Sequence, residues 1–143
     1  MKRILSSLFF VVILGAWSVS VAQQGDIAEK KSSAVIAAHN WLALIDRGNY
    51  DESWDEAAAF FKNSLSREQW SAAVSAAREP LGSLLSRELL SSSYHTTLPG
   101  APDGEYVVIT FSTSFTNKEQ AVETITPMLD QDAQWRVSGY YIK

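Results

Sequence analysis

The 143-residue chain contains no cysteine. That absence excludes disulfides, thiolate nucleophiles and sulfur-ligated zinc. It also removes the residue on which a lipid-anchored exported protein would be modified at its cleavage point. Histidine is almost as scarce: His39 and His95 stand alone, with no His-x-x-x-His spacing, and make no transition-metal site. Residues 23–143 hold no Gly-x-Ser-x-Gly elbow, no Ser-x-x-Lys pair and no glycine-rich phosphate loop. The acids of Asp130-Gln131-Asp132 alternate as in a calcium loop but lack the central glycine and the distal glutamate, so they read as a solvated turn. Nothing in the sequence calls for a metal or another cofactor. Basic patches are missing as well. Lys30-Lys31 is the densest cluster, and nucleic acid is not an expected partner.

Long apolar runs are also absent, with one exception at the N-terminus. Met1-Lys2-Arg3 gives a positive start, Leu8 to Trp17 is apolar or small, and Ser20-Val21-Ala22 places small residues before polar Gln23-Gln24. This is the plan of a secretory signal peptide over residues 1–22, cut after about Ala22. The apolar core is about ten residues long, whereas a membrane span needs roughly 20. The mature protein is therefore expected in the periplasm or medium, with no membrane anchor after cleavage. Losing Lys2 and Arg3 lowers the basic count from 12 to 10 against 16 acids, a formal charge of −6.

Residues 23–33 form a polar lead-in, and residues 34–143 have the length of one domain. Ala34, Ala38, Trp41 and Ile45 recur at helical spacing, widened by Val35 and Leu42, and Gly48-Asn49 ends this helix. A second helix carries Tyr50, Trp54, Ala57 and Phe61 on one stripe. The third opens with Ser66 as N-cap and Gln69 three residues on, a capping box, with Leu65 placed to staple onto Trp70. Trp70, Val74 and Ala77 form its inward stripe, and Pro80 stops it.

After Gly82 the period becomes two. Val107, Ile109, Phe111 and Phe115 share one strand face, opposite Val108, Thr110, Ser112 and Ser114. Trp135, Val137 and Tyr141 alternate with Arg136, Ser138 and Tyr140 in a last strand. Gln120–Thr126 is another strand, interrupted or ended near Pro127, and Leu84–Thr97 is a first one, with a serine-rich centre. Short turn-rich links make these a four-stranded antiparallel meander. The fold class is thus α+β, three N-terminal helices packed on one face of the sheet. The weak alternation of the first and third strands leaves open which face that is.

Several segments resemble a family of small exported bacterial proteins known as the domain of unknown function 4019 family. They are Trp41–Asp46, Tyr50 with Ser53-Trp54, Arg78 with Pro80-Leu81-Gly82, Ser86-Arg87, Leu98–Tyr106 and Val137–Lys143. The likeness covers nearly all of the mature chain and brings no established activity. The layout is also similar to the cone-shaped, cystatin-like fold of nuclear transport factor 2, which implies a curled sheet and room for a pocket beneath the helices.

Three kinds of candidate site residue emerge. Trp41, Tyr50, Trp54, Tyr106, Trp135 and Tyr141 combine apolar bodies with polar handles, the make-up of pocket linings, although core packing is their default role. His39 and Asp46 could work as an acid–base pair with a tyrosine, if a carboxylate sits in an apolar cavity. Arg87, inside a strand, must reach solvent, clamp an anion or pair with Asp46, Glu88 or Glu123. Without a catalytic motif, the leading reading is a non-catalytic module of the cell envelope that binds a small molecule or an envelope protein. The alternatives are a small isomerase- or dehydratase-like enzyme with an apolar pocket, and a homodimeric scaffold or inhibitor.

Overall fold

The structure, a computed structural model, describes residues 16–143. The charged start and most of the apolar core expected of the signal peptide lie outside the described residues. Four α-helices precede the sheet: α1 (Ala16–Asp46), α2 (Tyr50–Asp55), α3 (Ala59–Ser64) and α4 (Arg67–Arg78), with a 3-10 turn over Glu79–Leu81. The strands β1 (Leu84–His95), β2 (Tyr106–Phe115), β3 (Lys118–Leu129) and β4 (Trp135–Ile142) form one open antiparallel sheet in the order β1-β2-β3-β4. The architecture is the α+β arrangement expected, with helices on one face of a meander. No helix among the described residues is long and apolar enough to cross a membrane.

Helix α1 lies across the sheet and touches all four strands. Its stripe of Ala34, Ala38, Trp41, Leu42 and Ile45 is buried against Val107, Ile109, Phe111, Ile125 and Val137. The two alanines let the helix backbone approach the strands closely, and each large side chain so buried contributes about 1.5–3 kcal/mol. The sheet face left open by the sequence is therefore the odd-numbered face of β2. The polar lead-in joins the first helix, because residues 23–33 are part of α1. Lys30 fixes it to the sheet, donating to Glu105 at 2.5 Å, while the Tyr94 hydroxyl donates to the same carboxylate at 2.6 Å.

Four local features depart from the sequence expectation or settle an alternative it left open, each for a physical reason. The second expected helix is broken into α2 and α3, because Ala58 is extended (ψ 152) and donates its N–H to the Val137 carbonyl on β4 at 2.8 Å. On α4 the buried stripe is Trp70, Val74 and Arg78, whereas Ala77 faces solvent. The spacing of four is regular, but its last member is a charged residue. β3 is interrupted at Pro127 rather than ended there: it runs on to Leu129, because the proline coincides with a register shift against β4 and needs no ladder donor.

The same shift reverses the end of β4. Thr126 pairs with Gly139 while Pro127 pairs with Val137, so Ser138 is an extra residue. Trp135 and Val137 face the helices as expected, but beyond the bulge Tyr140 turns inward and Tyr141 is 52 % exposed. Tyr141 is accordingly a surface residue, set away from both grooves described below.

The expected boundary of α4 is present in full. Ser66 Oγ accepts from the Gln69 N–H at 3.2 Å, and Gln69 Oε1 accepts from the Ser66 N–H at 2.9 Å. Leu65 packs against the cluster containing Trp70. After Pro80, Gly82 (φ 77) turns the chain into β1, and a Cβ there would stand 2.0 Å from Thr116 Oγ1. Only glycine fits this corner.

Two predictions follow from these contacts. Ser66→Ala should cost about 1 kcal/mol of stability in urea denaturation, the usual loss of a capping side chain. Lys30 and Tyr94 hold the Glu105 carboxyl below its ordinary 4.5, while Glu105 and Asp26 hold the Lys30 ammonium above its ordinary 10.5. A lowered carboxyl pKa stabilises above its unfolded value and is lost as pH falls through the folded one. A raised ammonium pKa stabilises below its unfolded value and is lost as pH rises through the folded one. Glu105→Gln should therefore lower Tm at neutral pH and flatten both the acid limb below about pH 4.5 and the alkaline limb above about pH 10.5, as read by thermal melts across pH.

Candidate functional site

Two arrangements contain four of the nine candidate residues, Asp46 and Arg87 in one and Trp41 and Trp135 in the other, and they meet at one aromatic contact. The first is a buried ion cluster. Arg87, from β1, forks across two carboxylates: Nη1 and Nη2 donate to Asp46 at 2.7 and 2.9 Å, and Nε and Nη2 donate to Glu123 at 2.7 and 3.2 Å. Asp46 is the last residue of α1, and Glu123, on β3, is 0 % exposed. Thr113 donates to Glu123 at 2.6 Å, and so does the Tyr140 hydroxyl. Arg78 comes from α4, with Nη2 3.4 Å from Asp46, Nη1 on the Gly82 carbonyl and its guanidinium carbon 4.3 Å from the Phe115 ring centre.

Two cations and two anions make the cluster neutral, which is how charges persist in a core. Burial works against the Arg87 charge, but the hydrogen bonds it donates to Asp46 and Glu123 outweigh it and its pKa is raised. Burial, reinforced by the Glu123 charge and hydrogen bond, pushes the Tyr140 hydroxyl well above its usual range, so it remains a donor. Every nitrogen of the Arg87 guanidinium is committed, so Arg87 is not an anion clamp.

The acid–base alternative loses its geometry for the same reason. Both Asp46 oxygens accept from arginine guanidinium groups rather than facing an apolar cavity. His39 is exposed, its ring edge-on to Phe111 with centroids 5.0 Å apart. Seven residues separate His39 from Asp46 on one helix, roughly 10 Å along the axis, which is too far for one concerted pair.

The second arrangement is an open groove of about 600 Å³ between α1, α2 and the start of β4. Ile36, Leu44, Trp41 and Trp135 give it apolar surface, and Glu52 and Glu56 stand at its edge. Ile36 is 59 % exposed, an unusual position for isoleucine. Glu52, on α2, and Glu56, the C-cap that follows it, lie four positions apart, and among the described residues neither is ion-paired. Arg136 also lines the groove but is committed to Asp132 at 2.7 Å and Asp130 at 3.1 Å. That pairing holds the Asp132 carboxyl down to about 2.

Buried Ser53 sets the wall of the groove. Its carbonyl accepts from Trp41 Nε1 at 2.7 Å and its hydroxyl from Trp70 Nε1 at 2.9 Å. Trp41 in turn packs edge-on against Tyr140, with centroids 5.4 Å apart, and so links groove to ion cluster. A model of the family described as protein of unknown function (DUF4019) matches residues 37–140. The chain belongs to the DUF4019 family. No curated protein matches it.

The remaining candidates of this family member are scattered. Tyr50 is half-buried over a shallow cleft beside Asp46 and Arg78. Trp54 donates to the Leu65 carbonyl at 2.9 Å and lies under Lys62 and Arg67. Tyr106 is fully buried, donating to the Pro102 carbonyl. Arg78 and Thr113 are the members of the ion cluster that the sequence reading did not single out as site residues; Glu123 entered there only as one of three partners open to Arg87, and Tyr140 only as one aromatic among many. The i, i+4, i+8 register with Trp70 and Val74 was the available signal for Arg78. For Glu123 it was the alternation with Ala121 and Ile125 on β3, both of which are buried.

Tyr140→Phe should cost about 1–3 kcal/mol, since it strips a donor from a buried carboxylate. Tyr141→Phe should stay within about 0.5 kcal/mol, as surface changes do. Denaturant midpoints of the two variants check both the cluster and the bulge that inverts this strand. Equal effects would contradict it.

Proposed function

We propose that this protein is an exported, non-catalytic binding module whose α1–α2–β4 groove receives an amphipathic partner, an apolar body carrying a cationic group. Export follows from the N-terminal signal plan. The observation that carries the binding reading is the pairing of exposed Ile36 and half-buried Trp135 with the uncompensated Glu52 and Glu56 in one groove. Apolar surface left open to water favours an occupant, and two carboxylates without counter-ions select its charge. A catalytic role has less support, because the ionisable side chains of the buried cluster neutralise one another.

Octylammonium and octanoate, equal in chain length and opposite in charge, separate these contributions. Titration of the protein lacking residues 1–22 should quench or shift tryptophan emission with octylammonium at least tenfold more effectively than with octanoate. Glu52→Gln together with Glu56→Gln should weaken octylammonium about fivefold, the size of two partly exposed charge contacts. Trp135→Phe should remove much of the signal. Indifference to the sign of the head group would refute the reading.

A further inference from the structure

A second groove, of about 610 Å³, lies on the other side of the β3–β4 turn, between α3, the Pro102–Gly104 loop and that turn. Phe60, Pro102, Met128 and Leu129 supply its apolar surface. Asp103 at its rim is exposed and, among the described residues, has no cationic partner. The two grooves adjoin at the turn, since Arg136 lines both. The ridge between them is pinned rather than loose: Arg136 ties Asp130 to Asp132, the Ala59 N–H donates to Asp130 at 3.3 Å, and the Ala58 N–H donates to Val137.

We infer that the partner is a basic peptide segment that crosses the β3–β4 turn and places apolar side chains in both grooves. This rests on the binding reading above and narrows its occupant. Both grooves are open to solvent, whereas small-molecule sites enclose most of their ligand. A chain running over the ridge gains area from each groove at once and needs no enclosure. Three uncompensated carboxylates, Glu52 and Glu56 on one side and Asp103 on the other, complement cationic residues spaced along it. The arginine of the ridge is already neutralised by two aspartates and does not oppose them.

The test uses a twelve-residue peptide of alternating leucine and lysine, about 40 Å long when extended, and its counterpart with glutamate for lysine. Calorimetry with the protein lacking residues 1–22 should give micromolar binding of the lysine peptide, weakening as salt rises, and at least tenfold weaker binding of the glutamate peptide. The surface changes Asp103→Lys and Gln131→Lys, confined to the second groove, should weaken the lysine peptide at least fivefold and leave octylammonium binding unchanged. Circular dichroism melts confirm that the variants remain folded. Peptide affinity unmoved by the second-groove changes would overturn this inference while leaving the one-groove reading in place. Failure of octylammonium as well would overturn both.

Discussion

The fork of Arg87 between Asp46 and Glu123 is the constraint on which the rest of the molecule depends. It joins the last residue of α1 to the first and third strands, so the helix position, the β1–β2 register and the β2–β3 register must all be right before four buried charges are satisfied. Removing one member would leave its partners charged and unpaired in a dry core, a penalty of about 3–5 kcal/mol. Misregistered packings carry the same penalty. The cluster thereby discriminates against wrong folds even where its net contribution to the right one is small.

Several segments that carry the family likeness end at this point. Trp41–Asp46 supplies the carboxylate, Arg78 and Gly82 supply the second guanidinium and the corner beneath it, Ser86-Arg87 the fork, and Val137–Lys143 the Tyr140 hydroxyl. Their shared task is to make a neutral polar knot inside an otherwise apolar layer. Closure of that knot commits every nitrogen of Arg87 and both carboxylates, and leaves the buried Arg78 Nε as a donor without a partner among the described residues. Carboxylates without an ion partner among the described residues also stand beside the apolar grooves around the β3–β4 turn. Trp41, edge-on to Tyr140 and hydrogen-bonded to Ser53, joins the knot to the groove between α1, α2 and β4.

Much of the fold was legible because local chemistry specified it. Ser66 and Gln69 cap α4 through bonds between residues three apart, Pro80 stops a helix through its own ring, and the alternation of Val107, Ile109 and Phe111 follows from the pleat. The missed features all depend on residues distant in sequence. Ala58 leaves helical geometry because a strand carbonyl some eighty positions away accepts its N–H. Tyr140 and Tyr141 exchange faces because Ser138 is extra relative to a partner strand, which no period-two count can reveal. Arg78 was passed over for Ala77 because a guanidinium inside a core is reasonable only when Asp46, Gly82 and Phe115 are already there.

By itself the chain determined its element types, their order and the switch from a period of 3.6 to a period of 2 near Pro80, since those depend on side chains a few residues apart. It also named Asp46 and Glu123 among the partners open to Arg87. Tertiary structure alone decided that both carboxylates are engaged at once, which sheet face the helices cover, and which acids remain uncompensated beside a groove. The reason is that charge balance and burial belong to three-dimensional neighbours, and a carboxylate reads the same in sequence whether an arginine or only water faces it.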